Sequence, residues 1–433
     1  MKKQLTLFLF FVACITQAQV WQPVGGGIIG AYAYTMHQYN NKLYVSGALS
    51  MLGPNYAIDC DGTGAWNDTI WKATGAASTG FPVEGMSSIV YNNQLYIGCD
   101  NGPNELTIFN GASWTTIDIP TNNASVTAFG IFNGDLIVGG KFDTINGVAA
   151  ENIAKWNGTT WAPLGQGVDS YVYALKTYNN ELYAAGFFLH AGGQPANYIA
   201  KWNGASWSGV GQGFDSNVRA LEIFNNELYV GGYFRNAGSV PCYSGLAKWN
   251  GSALTGVGSV KDYGTGVHAL KVYNGELYIG GGFDSIAGIA SHDVIRYNGS
   301  AFASTGNNLT NSVDCFEEYN GRLYAGGWFC INPYMNCNNG RIAVLDTTSV
   351  SGMDLPAETP AFAVYPNPAR EIINIDLPAG TVLQMTLYDM RGAALKRMKN
   401  VNQIQVNDLP DGIYLLEIEA GMGLVRKKIV IAH

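Results

Sequence analysis

The sequence predicts an all-β protein in two parts, a seven-bladed β-propeller closed by an N-terminal strand, followed by a small β-sandwich. Three observations predict it. First, an aromatic-Asn-(Asn/Gly)-x-Leu core recurs seven times, beginning at Tyr39, Tyr91, Phe132, Tyr178, Phe224, Tyr273 and Tyr319, with successive spacings of 41 to 52 residues. That period suits four short strands and their turns. Second, the seventh unit runs out before its fourth strand, and a matching phrase stands at the other end of the chain. Val20-Trp21-Gln22-Pro23-Val24-Gly25 parallels Thr160-Trp161-Ala162-Pro163-Leu164-Gly165, the fourth strand of unit three. An N-terminal strand that completes the last blade closes the ring and removes the edges an open array exposes. Third, from residue 361 onward the long period gives way to short alternating apolar and polar runs, the pattern of a sandwich.

The elements follow in order. Residues 1–18 carry Lys2 and Lys3, an apolar run from Leu5 to Ile15 and a small residue at Ala18, the pattern of a cleaved secretory signal. Acylation at Cys14 is the alternative processing. No later stretch reaches the ~18 consecutive apolar residues needed to cross a bilayer as a helix. Residues 19–346 hold the repeats. In the unit from Tyr171 to Val210, Tyr171 to Tyr178 is a first strand and Glu181 to Gly186 a second, joined by Asn179-Asn180. Asn-Asn and Asn-Gly tolerate positive φ at both turn positions, which makes the pair a hairpin. Ile199 to Trp202 is the third strand, Asn203-Gly204 the next turn and Ser206 to Val210 the fourth strand. Residues 347–360, rich in Ser, Thr, Gly, Pro and Glu, read as a linker. Residues 361–433 form the second domain, with strands expected at 372–377, 382–388, 403–406, 413–419 and 424–431.

Composition bounds the function. Among 433 residues, 12% are aromatic, 13% charged and 55 are glycine, and the net charge is -8. A chain without clustered Lys and Arg is not built to replace counterions on phosphate, so nucleic acid is excluded as a partner. Six cysteines follow the signal, and Cys330 with Cys337, in one loop of the last blade, is the first choice of disulfide. With no Cys-x-x-Cys pair and scattered histidines, no metal or other cofactor is expected. Asp59-Cys60-Asp61-Gly62 with Asp68 lacks the calcium-loop spacing and reads as a solvated acidic loop.

No catalytic set assembles from the sequence, and the enzyme question stays open at this stage. Aligning the units does expose variable positions. Five residues before each repeated aromatic stand Tyr34, Met86, Thr127, Tyr173, Arg219, His268 and Asp314. First strands line the central channel of a propeller, so Arg219, His268 and Asp314 are expected to form a polar arc suited to a carboxylate or a sugar. Structural ion pairing is the competing reading. A second candidate surface lies after the second strands, where Asp143, Leu189, Arg235 and Asp284 are equivalent. There Phe187, Tyr233 and Trp328 replace Lys141, and flat apolar rings suit pyranoses.

The Trp-Asn-Gly and Leu-Tyr-x-Gly-Gly phrases, with glycine pairs at Gly139-Gly140, Gly231-Gly232, Gly280-Gly281 and Gly326-Gly327, resemble Kelch-like propellers over residues 20–346. The second domain resembles the type A sorting domain of the type IX secretion system of Bacteroidota, an Ig-like sandwich. The resemblance rests on Tyr365-Pro366-Asn367-Pro368, the stretch from Leu387 through Asp389 to Gly392, Asp411-Gly412-Ile413-Tyr414 and Lys427-Lys428. It implies export through that machinery, removal of the tail by its sortase, and release or attachment at the outer surface. A secreted binding or adhesion module for a glycan or a protein ligand is the reading favoured, with a propeller hydrolase or lyase and a purely structural surface protein as alternatives.

Overall fold

A computed structural model describes residues 20–53, 57–60, 62–74, 85–100, 106–117, 119, 124–242, 245–258, 266–291, 293–306, 309–331, 341–346, 363–365, 368–376, 383–389, 394–399, 401–420 and 423–432. The expected signal peptide, the linker and Cys337 lie outside these. Among the described residues every regular element is a strand, and no helix is long and apolar enough to cross a membrane. The chain divides into two compact units, Met1–Ser349 and Val350–His433.

The first unit repeats one antiparallel plan. In the fourth of its sheets, Val172–Tyr178, Glu181–Gly186, Ile199–Trp202 and Trp207–Gly209 pair in that order. Asn179 and Asn180 turn the first hairpin with φ of 48° and 61°. Asparagine tolerates this left-handed backbone, and two such residues in succession match the twist of the strands they join. The second turn is held by a side chain instead. Asn203 Oδ1 accepts the backbone N–H groups of Ala205 and Ser206 at 2.9 Å each, and Asn110, Asn157, Asn250 and Asn298 repeat the arrangement.

Seven such four-strand paths are formed by the described residues. Numbered in chain order, sheets one to seven begin with Ile28–Tyr39, Gly85–Tyr91, Ser125–Phe132, Val172–Tyr178, Val218–Phe224, Gly266–Tyr273 and Leu309–Tyr319. Sheet seven takes its fourth strand from the N-terminal side: Val20–Pro23 pairs antiparallel with Ile342–Asp346, Trp21 opposite Leu345. Trp21 is fully buried and donates its indole N–H to Thr305 Oγ1 at 3.1 Å. The first strands of successive sheets pack side by side, and that of sheet seven packs against that of sheet one.

Apolar cores lie between neighbouring sheets. Phe132 and Ile137 of sheet three share one with Leu175, Leu182 and Trp207 of sheet four, and Tyr319, Tyr324 and Ile342 of sheet seven share another with Ile28, Met36 and Leu43 of sheet one. Separate hairpins of two-residue strands, inserted between the second and third strands of sheets three to six, were not foreseen from the sequence. They pair Thr144–Ile145 with Val148–Ala149, His190–Ala191 with Gln194–Pro195, Asn236–Ala237 with Val240–Pro241 and Ser285–Ile286 with Ile289–Ala290. Strands this short carry no readable alternation.

The second unit has a three-stranded sheet, Ala363–Tyr365, Ile372–Asp376 and Gln403–Gln405, and a four-stranded one, Ala394–Lys399, Leu383–Tyr388, Gly412–Ala420 and Gly423–Ile431. Ile373, Ile375 and Ile404 of the first share a core with Met385, Leu387, Tyr414, Leu416 and Ile429 of the second. Ala394–Lys399 adds a strand the sequence reading missed. Its run of Lys and Arg hides the alternation, because it is a sheet edge with most side chains exposed.

Candidate functional site

All seven first strands carry a register shift at the same place. The pairing of first with second strand skips Tyr34, Met86, Thr127, Tyr173, Arg219, His268 and Asp314, one equivalent residue in each sheet, and sheet one has further irregularities before Ala33. A bulge inserts one unpaired residue and re-aims its side chain. The residue before each bulge is buried, whereas each bulged residue is partly exposed. The positions that vary between units are therefore the ones that leave the ladder.

The tandem glycines accommodate this device. A Cβ on Gly140, Gly186, Gly232, Gly281 or Gly327 would stand 1.9–2.4 Å from the carbonyl oxygen of Ser125, Tyr171, Asn217, Gly266 or Ser312, the residue two before the bulge. The first glycine of the pair admits the next sheet, since a Cβ on Gly139, Gly231 or Gly280 would fall within 2.5–2.8 Å of Val172, Val267 or Val313 and Phe316.

Immediately after the second glycine, or after Gly186 in its place, come Lys141, Phe187, Tyr233 and Trp328, and the last three are exposed by 52, 39 and 43%. The sequence suggested two separate surfaces, one from the bulged positions and one from these aromatics. They meet through contacts across sheets. The Arg219 guanidinium lies 4.5 Å from the centre of the Tyr173 ring. The Tyr233 ring lies 5.3 Å from the His268 imidazole. His268 Nδ1 is 2.8 Å from Asp314 Oδ1, which also accepts Ser312 Oγ–H at 2.5 Å. These two side chains are only 11 and 16% exposed, and Asp314 Oδ2 is buried with no hydrogen-bond partner among the described residues. Trp328 lies 5.6 Å from Tyr32, which stacks on Tyr34 at 5.0 Å and 7°.

Electrostatics ties the arc together. Burial pushes the Tyr233 phenol up, with Arg219 opposing and Asp314 reinforcing the shift. Burial also raises Tyr173, again opposed by Arg219. Arg219, His268, Asp314, Tyr173 and Tyr233 thus act on one another across sheets four to seven, and Trp328 joins sheet seven to sheet one. Tyr32, Tyr171 and Ser312 were missed in the sequence. Each stands two residues before a bulged residue, and the Tyr-x-Tyr phrases at 32–34 and 171–173 were the available signal.

Other candidates resolve into structure. His37 accepts the Val90 N–H on Nε2 at 3.3 Å and is held neutral by burial. Asp68 of the acidic run accepts hydrogen bonds from the Asn320 amide and, at 3.2 Å, the Tyr324 hydroxyl. Asp61 lies outside the described residues. Cys330 is disulfide-bonded. Among the described residues no three His, Cys, Asp or Glu side chains gather as metal ligands.

In the second unit two residues in or beside the motifs make contacts that hold the fold. Ala369, after Pro368, donates to the Val430 carbonyl at 2.8 Å and accepts from the Ala432 N–H at 3.0 Å, fastening the start of the domain to its last strand. Tyr414, two residues after Gly412, donates to the Pro410 carbonyl at 2.7 Å. Tyr365 lies in a strand, as do Lys427 and Lys428, and Asp389 follows one. Pro366, Asn367 and Gly392 lie outside the described residues.

Residues 363–432 match the secretion system C-terminal sorting domain. The protein is therefore secreted, and its tail implies an encounter with the type IX export machinery. No curated protein matches the sequence. Among solved structures the chain is similar to extracellular domains assigned to two hybrid two-component systems of B. thetaiotaomicron. One is 12% identical over 94% of this chain and 52% of the other, the second 9% identical over 96% and 57%, each with a TM-score of 0.50. The chain spans little more than half of those domains, and the likeness is one of all-β fold.

Proposed function

We propose that residues 19–346 form a Kelch-like, seven-bladed β-propeller that acts outside the cell as a binding or adhesion module for a glycan or a protein ligand. In this reading residues 347–360 are a linker, and residues 361–433 are the type IX sorting domain that brings the module to the surface. The propeller reading is supported by seven four-strand paths, by the N-terminal strand that completes the last, and by the packing of sheet seven on sheet one. The observation that carries the binding reading is the repeated bulge. It sends one partly exposed side chain per sheet out of the ladder, and those side chains are Tyr, Met, Thr, Tyr, Arg, His and Asp while the scaffold around them is uniform. Fixed scaffold with variable rim is how one fold serves many ligands.

The test is a glycan, polysaccharide and surface-protein binding screen with the purified full chain. Binding that is lost in His268→Ala and Trp328→Ala, with unchanged melting, supports a recognition rim. Binding that survives both variants places the ligand elsewhere and overturns it. A hydrolase or lyase is the second reading, favoured by the Ser312, Asp314, His268 and Tyr233 cluster. Release of product from a screened polymer, abolished in His268→Ala, moves it ahead.

A further inference from the structure

Six basic side chains of this unit are neutralised by acidic neighbours. Lys155, Lys176, Lys201, Lys248, Lys271 and Arg296 each pair with a carboxylate at 2.6–3.4 Å. Lys141 and Arg219 depart from that pattern: among the described residues neither has a carboxylate partner, and each lies over the face of a tyrosine instead. Lys141 Nζ is 5.0 Å from the Tyr171 ring centre and Arg219 4.5 Å from that of Tyr173. The two tyrosines stack on each other at 5.7 Å and 23°. Lysine, tyrosine, tyrosine and arginine thus form one file across sheets three, four and five. The file includes two bulged residues, Tyr173 and Arg219, and a residue after the second glycine, Lys141.

A ring face positions a cation without occupying its N–H donors. The attraction is worth about 0.5–1 kcal/mol at exposed sites. Arg219 also hydrogen-bonds to the Tyr173 hydroxyl, and its remaining N–H groups can meet a carboxylate. Two such cations in a chain of net charge -8 are a local departure from its overall field. Asp100, beside sheet two, raises the Tyr173 phenol as the last and least of its causes.

Resting on the proposed binding function, we infer that this file selects an acidic polysaccharide, with carboxylates of its uronate units on Arg219 and Lys141 and sugar faces against the neighbouring aromatic rings. Phe187, exposed and of the same sheet as the tyrosines, extends the apolar surface. Neutral glycans forgo both charged contacts.

The experiment is calorimetric titration of the full chain with polygalacturonate and with the same polymer reduced at its carboxyl groups to the neutral form. The acidic polymer is expected to bind at least about tenfold more tightly, the size of one charge-assisted hydrogen bond. That preference is expected to shrink in 0.5 M salt, which screens exposed charges. Lys141→Gln and Arg219→Gln should each remove most of the preference. Lys141 is exposed, so its loss leaves folding intact. Equal affinity for the two polymers, in a protein whose binding still requires Trp328, overturns the acidic ligand and leaves the recognition rim standing. Absence of binding to every polymer and surface protein in the wider screen overturns the recognition rim and the acidic ligand with it.

Discussion

Tyr319 donates its hydroxyl to the backbone carbonyl of Asn41 at 3.0 Å, joining two residues 278 positions apart. It is the last member of a series. Tyr39 reaches the Asn93 carbonyl, Tyr91 that of Gly134, Tyr178 that of Asn226 and Tyr273 that of Gly321, in each case from one sheet to the first hairpin turn of the next. Tyr319 continues the series from sheet seven to sheet one. A second series runs backward: Trp71, Trp207 and Trp21 donate indole N–H groups to Val24, Leu164 and Thr305 at the end of the preceding sheet. The repeated aromatic is therefore both core and latch, an apolar body with a polar tip that finds a carbonyl.

Removing the closing latch should have a measurable and bounded effect. Tyr319→Phe keeps the ring and loses one hydrogen bond, so urea unfolding is expected to show a loss of about 1 kcal/mol. Phe132 and Phe224 hold the same position without a hydroxyl, which argues that a single missing latch is tolerated. An unchanged midpoint would show that water replaces the bond at no cost.

Gly327→Ala is expected to damage both stability and the rim. Its Cβ would stand 2.2 Å from the Ser312 carbonyl oxygen and 3.0 Å from the Asp314 amide nitrogen. Backbone atoms cannot step aside as a side-chain end can, so a cost of about 3 kcal/mol is expected, with displacement of the Asp314 and His268 pair. Gly134→Ala is the control. Its φ of +86° opens on empty space, and a cost of about 1 kcal/mol is expected from backbone strain alone. Equal melting temperatures for the two variants would contradict the bulge argument.

Asp293 gives the molecule a pH dependence. It is 7% exposed, and its carboxylate accepts the Phe283 N–H at 3.0 Å. Burial pushes its pKa from 3.8 up to about 7, against the N–H groups of Phe283 and Asn311 and with Asp284 and Asp314 adding to the rise. The unfolded chain releases this proton at lower pH than the folded one. Stability from the neutral acid is thus complete below 3.8 and is lost as pH rises through about 7. The melting temperature of wild type relative to Asp293→Asn should fall between pH 4 and 7 and level off above. A constant difference across that range would remove the assignment.

Deleting residues 363–432 removes the matched sorting domain, and the first unit has cores of its own. The shortened protein is expected to fold and to accumulate in the cell, absent from the medium and the surface. Fractionation followed by immunoblotting checks this; undiminished export would contradict the role of the tail.

Much of the plan was legible in the chain because it is written in local chemistry. Asn-Asn and Asn-Gly mark the hairpins through the φ they permit, and the observed φ values at Asn40, Asn92, Asn179 and Asn225 are positive. The variable positions, counted from the repeated aromatic, coincide with the seven bulges, yet nothing in the sequence identified them as bulges. That follows from a pairing register, in which Val218 faces Gly232, Ala220 faces Gly231 and Arg219 faces neither. The partnership of Tyr233 with His268 and of Trp328 with Tyr32 was likewise hidden, because each joins residues of different sheets.

The sequence by itself determined the longer strands of the repeat, their turns and the export tail, since each is written in residues within a few positions of one another. Only the tertiary structure decided which side chains meet. Tyr173, Arg219, His268 and Asp314 are about one repeat apart along the chain and become neighbours when successive sheets pack. Whether Arg219 faces a carboxylate or a tyrosine ring depends on contacts between sheets, which no local pattern encodes.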